Sequence, residues 1–108
     1  MKLVIAIVQD QDAGFLVEEL TKKNFRVTRL TTSGGFLKAG NTTLLMGVEE
    51  EDLAPLLDII EENCKSREVS THINPMNMPG ESFIPYPITV KVGGATVFVL
   101  DVADYKRF

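Results

Sequence analysis

The sequence predicts an α+β fold: a ferredoxin-like βαββαβ domain with an extra C-terminal hairpin strand and an enlarged loop. Three observations predict it. Apolar runs of strand and helix character alternate as strand, helix, strand, strand, helix and a final hairpin. The second helical run keeps its periodicity over several turns. A proline-rich segment, about residues 65–87, then interrupts the pattern before it resumes. At 108 residues the chain has room for one domain, spanning 1–108.

Lys2 to Gln9 is β-branched and apolar on both faces, which predicts a central strand covered on both sides. Asp10 or Asp12 is placed to cap a helix running to about Lys23, with Glu18 and Glu19 outside. Its inward stripe is Ala13, Leu16 and Leu20, flanked by Phe15 or Val17. Asn24 stands where helices end in a left-handed residue. Phe25 to Ser33 alternates and is threonine-rich, so a second strand is expected, followed by a glycine-rich loop over 34–40. Asn41 to Val48 reads as a third strand.

Glu49 to Asp52 place negative charge at the start of a second helix, whose inner face is Leu53, Leu56, Leu57, Ile60 and Cys64. Pro55 is tolerable there in or near the first turn. Across Lys65–Pro87 four prolines break the periodicity, leaving short strand pieces at Val69–Ile73 and Phe83–Ile84. Ile88–Val92 and Ala95–Val102 are then expected to form a hairpin about Gly93-Gly94, a turn that needs positive φ. The first and last strands show no polar alternation. The sheet face away from the helices therefore stays apolar, and a second copy of the chain is the simplest cover for it.

Hydrophobic content of 44% without low-complexity stretches excludes disorder. The apolar start Leu3–Val8 is too short for a signal peptide or a membrane span, and it runs into Gln9–Asp12 rather than a cleavage site. The single cysteine, Cys64, forms no internal disulfide and suits a cytoplasmic setting. A net charge of −4 argues against DNA binding. The charge is uneven: five basic residues (Lys22, Lys23, Arg26, Arg29, Lys38) and no carboxylate lie between Leu20 and Val48. Lys22 and Lys23 suit a helix C-terminus, whereas the other three fall in a strand and a loop, where they suit an anion site.

Two constellations could carry binding. Gly34-Gly35-Phe36-Leu37-Lys38-Ala39-Gly40-Asn41 can bring backbone N–H groups close to a ligand. It is not a P-loop, because the lysine of that motif is missing and the loop enters a strand. Taken alone it serves as a plain strand connection sooner than a ligand loop. Arg26 and Thr28 project from one strand face, and arginine's planar fork suits phosphate. By spacing alone, an ordinary polar strand face explains them better.

No nucleophile, base and orienting group assemble, so no catalytic residue and no enzymatic activity are expected. His72 and Cys64 lie on different elements without a third ligand, which leaves no metal site. Met46, Met76 and Met78 form no copper box.

Several stretches go beyond composition. Ile5–Asp12, Asn24–Thr28, Thr31–Thr43, Ile84–Pro87 and Val92–Val99 closely resemble, in the same order, the PII-like cyclic di-AMP receptors. The resemblance implies a PII-like homotrimer in which the nucleotide sits in clefts between neighbouring subunits. Carried over by position, the ligand wall would be Asn24, Arg26, Thr28, Gly35, Phe36, Leu37, Asn41 and Gly47, with Phe98 from the last strand. It further implies signal transduction: cyclic di-AMP as ligand, no cofactor, and an unknown downstream protein that reads loop conformation. Two stretches depart from the family pattern: Ile73–Gly80 lacks a glycine pair after its Pro-Met, and the tail Asp101–Phe108 differs. The alternatives are a PII-type sensor of another nucleotide or a metal-tolerance trimer on the same fold. The first would want a longer loop between strands two and three, the second clustered His and Cys.

Overall fold

The structure, a computed structural model, describes residues 1–30, 40–73 and 86–108. Strand β1 (Lys2–Gln9) leads into helix α1 (Asp10–Lys22), followed by β2 (Thr28–Leu30), β3 (Asn41–Val48) and helix α2 (Glu50–Cys64). Strands β4 (Arg67–Ile73), β5 (Tyr86–Val92) and β6 (Ala95–Asp101) complete the chain. The protein is α+β and its strand pairs are antiparallel. The main sheet has the order β2-β3-β1-β6, compatible with a ferredoxin-like βαββαβ fold in which β6 is the last strand.

Alternate residues of β1, namely Val4, Ala6 and Val8, are buried beneath the two helices. Ala13, Leu16 and Leu20 from α1 meet Leu56, Ile60 and Cys64 from α2, with Leu44, Met46 and Val48 of β3 below. Val17 flanks the α1 stripe, whereas Phe15 on the same helix is exposed. Asn24 is left-handed, at φ 68°, and ends α1 as its position predicts.

Four expectations are corrected. First, α1 begins at Asp10 with Gln9 as its N-cap, and no side chain caps it. Asp10 instead accepts a hydrogen bond from Thr42 Oγ1, and Asp12 is paired with Arg67. Both carboxylates stay in the first turn, where the helix dipole still favours them. Second, α2 begins at Glu50, so Pro55 falls in its second turn. Its exposed position lets water solvate the carbonyl that loses a donor. Third, β2 is confined to Thr28–Leu30 within the described part of the expected Phe25–Ser33 strand; residues 31–33 lie outside it.

The fourth correction concerns the extra strands. The expected C-terminal hairpin does not form: β5 pairs with β4, and β6 pairs with β1. Gly93 and Gly94 do take positive φ, 84° and 97°. They pass the chain from a separate two-stranded ribbon into the main sheet rather than folding it back. Alternation along a strand does not name its partner, and β6 completes the main sheet beside the central strand β1. The segment expected as an irregular loop at 65–87 is therefore strand over Arg67–Ile73 and from Tyr86. The expected strand piece at Phe83–Ile84 lies outside the described residues.

A polar cluster holds the base of this ribbon. Arg67 donates from Nη2 to Asp12 Oδ1 at 2.8 Å and from Nη1 to Oδ2 at 3.4 Å. The Gly93 N–H donates to Gln9 Oε1 at 2.8 Å, and the Gly94 N–H donates to the Cys64 carbonyl. A Cβ on Gly93 would come within 2.7 Å of the Lys65 carbonyl, so glycine is required there by space as well as by φ. The same turn of chain reaches the other way, because the Asp10 N–H donates to the Gly40 carbonyl at 2.8 Å.

Candidate functional site

The sheet face away from the helices is set by the register. Leu45 of β3 and Phe98 of β6 both stand opposite Ile5, while Gly47 and Leu100 both stand opposite Leu3. Thr28 of β2 is opposite Leu45, so Thr28, Leu45, Ile5 and Phe98 form one row across the sheet. This face is apolar, with Phe98 52% and Leu100 45% exposed. Large apolar side chains left exposed on one sheet face suit a surface for association.

At the end of this face, where β1 begins and β3 ends, a pocket of about 380 Å³ opens. Arg26, Thr28 and Gly47 line it, above a floor that includes Leu3 and Leu45. The chain turns out of α1 at Asn24, and the Phe25 N–H donates to the Leu20 carbonyl at 3.0 Å. That closure aims the next residues along the edge of β3 and brings Arg26 beside Gly47. Among the described residues no carboxylate lies within 4 Å of the Arg26 guanidinium. At the same end of the sheet Lys2 and Asp101 form an ion pair. Their mutual hydrogen bond holds Lys2 above its usual range and Asp101 below it. Those two charges offset each other, leaving Arg26 as the pocket's cation.

Gly47 is informative because nothing among the described residues demands it. Its φ is not in the left-handed region, and a Cβ built there meets no atom within 4 Å. Glycine inside a strand costs about 0.5–1 kcal/mol relative to alanine. Here that cost keeps the pocket open.

The structure brings together Arg26, Thr28 and Gly47 from the sequence-predicted wall. Asn24 is exposed two residues before Arg26 and does not line the pocket. Asn41 starts β3, six residues from Gly47, or about 20 Å along the strand. Phe98 shares the row of Thr28 but lies three strands away, about 14 Å across the sheet. Gly35, Phe36 and Leu37 lie outside the described residues. Within one chain, then, Asn41 and Phe98 do not converge on the pocket.

Sequence reasoning missed Met1, Leu3, Leu45, Met46, Val102 and Tyr105 as lining residues. Leu3 and Leu45 could have been found only from the β1–β3 register. Tyr105 follows the last strand in a tail without periodicity, which offers no signal.

A second depression of about 320 Å³, between the end of α2 and the start of β6, carries both Glu61 and Lys65 and so has no net attraction for an anion. Cys64 is buried, and burial pushes its thiol up to about 11, where it is not a thiolate at neutral pH. Among the described residues no helix is long and apolar enough to cross a membrane, and no group of three or more acidic, His or Cys side chains is placed to hold a metal ion.

Two comparisons bear on this geometry. A protein described as functionally unknown, from Pediococcus pentosaceus ATCC 25745, has a similar crystal structure with a TM-score of 0.77 and 47% sequence identity. The match covers 99% of this chain and 96% of that one. The family model described as cyclic-di-AMP receptor matches residues 1–108. The chain, with a small cationic pocket kept open by a glycine at the end of an apolar sheet face, belongs to the cyclic-di-AMP receptor family.

Proposed function

We propose that the protein is a non-enzymatic signal-transduction receptor that binds cyclic di-AMP in clefts between the subunits of a homotrimer. Gly47 carries the proposal: a strand glycine that neither backbone nor packing requires, opening a pocket beside an arginine with no carboxylate partner among the described residues. A cyclic dinucleotide presents two phosphates and two purines, so it needs both a cation and apolar surface. Charge-assisted bonds from Arg26 contribute about 1.5–3 kcal/mol each. Micromolar binding needs about 8 kcal/mol, so the remainder comes from burying purine surface.

The distances favour a shared site. Thr28 and Phe98 stand at opposite edges of one sheet, on β2 and β6. A head-to-tail contact that sets the β2 edge of one copy against the β6 face of the next would complete the wall and cover Phe98 and Leu100. In that cleft Asn24, Arg26, Thr28 and Gly47 serve one side and Phe98 the other, with Gly35, Phe36, Leu37 and Asn41 as further ligand contacts. No cofactor takes part. The polar cluster joining Gly40, Asp10, Asp12 and Arg67 links the end of the glycine-rich segment to the base of the ribbon. A downstream protein reads ligand state through that linkage.

Calorimetry against cyclic di-AMP, cyclic di-GMP, ATP and copper, with light scattering on the same sample, tests this directly. Selective heat with cyclic di-AMP and a mass of three subunits are expected. A monomer at micromolar concentration, or tighter binding of ATP or copper, would refute it.

A further inference from the structure

We infer that Tyr105 is a further residue of the ligand pocket, where its ring stacks on a purine of the bound nucleotide. This role depends on the pocket being the cyclic-dinucleotide site proposed above. β6 ends at Asp101, and the Val102 N–H donates to the Met1 carbonyl at 3.2 Å. That bond turns the tail across the start of β1, toward the end of β3 where Gly47 lies. Among the described residues Tyr105 is the one aromatic side chain lining the pocket.

The ring takes no part in the hydrophobic core and is 61% exposed. An aromatic side chain that lines a cavity and is largely exposed has surface to give to a flat ligand. The pocket volume of about 380 Å³ falls within the range of small-molecule sites. Its chemistry divides as a purine's does. Arg26 and Thr28 offer donors to a polar edge or a phosphate, Leu3 and Leu45 give apolar surface, and Tyr105 adds an aromatic ring to the lining. Stacking on an aromatic ring is tolerant of base identity, so Tyr105 adds affinity, while discrimination among bases falls to the polar edge contacts.

Tyr86 and Tyr105 are the two tyrosines, and the chain has no tryptophan. A Tyr86→Phe variant therefore leaves Tyr105 as the sole tyrosine fluorophore. Titrated with cyclic di-AMP, this variant is expected to lose Tyr105 emission saturably, over the concentration range in which calorimetry records binding. Tyr105→Ala should weaken binding roughly 5- to 150-fold, the range measured for losing one stacked base. Tyr105→Phe, which keeps the ring, should restore most of the affinity. Melting temperature and subunit count should not change, since the ring is exposed.

Unchanged affinity in Tyr105→Ala, or unchanged emission at ligand saturation, would overturn the assignment and leave the ligand proposal standing. Weaker binding accompanied by a lower melting temperature or a changed mass would also overturn it, assigning Tyr105 to assembly. No heat from the wild-type protein would overturn the ligand proposal and the Tyr105 role together.

Discussion

Replacing Gly47 by valine separates a pocket kept open for a ligand from a strand that happens to contain glycine. The backbone at Gly47 lies outside the left-handed region and, among the described residues, a Cβ there meets nothing within 4 Å, so the strand itself accepts the change. Valine is favoured in strands, and removing an interior glycine returns about 0.5–1 kcal/mol. The variant should therefore melt slightly higher than the wild type. Its side chain enters the pocket shared with Arg26 and Thr28. A purine that buries about 200 Å² there gains roughly 5 kcal/mol, and losing half of that contact costs about 2.5 kcal/mol. The affinity for cyclic di-AMP should fall roughly sixty-fold. Calorimetry measures the loss, with thermal melting and light scattering on the same samples. Wild-type affinity in Gly47→Val would refute the pocket assignment. A lost trimer or a lowered melting temperature would mean that Gly47 serves packing, which would refute it equally.

Arg26→Ala should weaken cyclic di-AMP binding about tenfold to a hundredfold, by removing a charge-assisted bond of about 1.5–3 kcal/mol, with melting nearly unchanged. A large drop in melting temperature would return Arg26 to a structural role. Asp12→Ala leaves Arg67 unpaired at the ribbon base; Asp12 is 7% exposed, but Arg67 is partly solvated, so the cost should be about 1–2 kcal/mol. Hydrogen exchange should quicken along Arg67–Ile73 and Tyr86–Val92 before it does in β1, and uniform protection would contradict the latch. The Cys64 thiol ionises near 9 when unfolded and near 11 when folded. Between those values the unfolded state binds fewer protons than the native one, so stability falls as pH rises, by at most about 3 kcal/mol. Melting curves from pH 8 to 11 should show a steeper decline for the wild type than for Cys64→Ala, and parallel slopes would count against the burial argument.

The main elements were legible because their signals are local. Val4, Ala6 and Val8 alternate with half-buried neighbours, Leu56, Ile60 and Cys64 recur at helical spacing, and β3 spans the residues expected of it, Asn41–Val48. Asn24 and the pair Gly93-Gly94 announced positive φ through residue type alone. The family was also legible, since its motifs run in order along the chain and the family model matches residues 1–108. Of the proposed ligand wall, Arg26, Thr28 and Gly47 were carried over by position from that resemblance, and the three line one pocket.

Strand partnership was not legible, because periodicity states which face a side chain occupies and is silent on which strand lies beside it. Val92 and Ala95 flank a glycine pair that suits a tight hairpin, yet β5 joins β4 and β6 joins β1. The roles of Asp10 and Asp12 were equally hidden. A carboxylate at a helix start suits a cap by local rules, and only the fold brings Thr42 and Arg67 within reach of these two. Tyr105 reached the pocket by the same route, through one backbone bond from Val102 to Met1 that joins the two ends of the described chain. Contacts between residues a hundred positions apart depend on how the sheet closes, and that closure is decided by the burial of whole faces rather than by any single stretch of sequence.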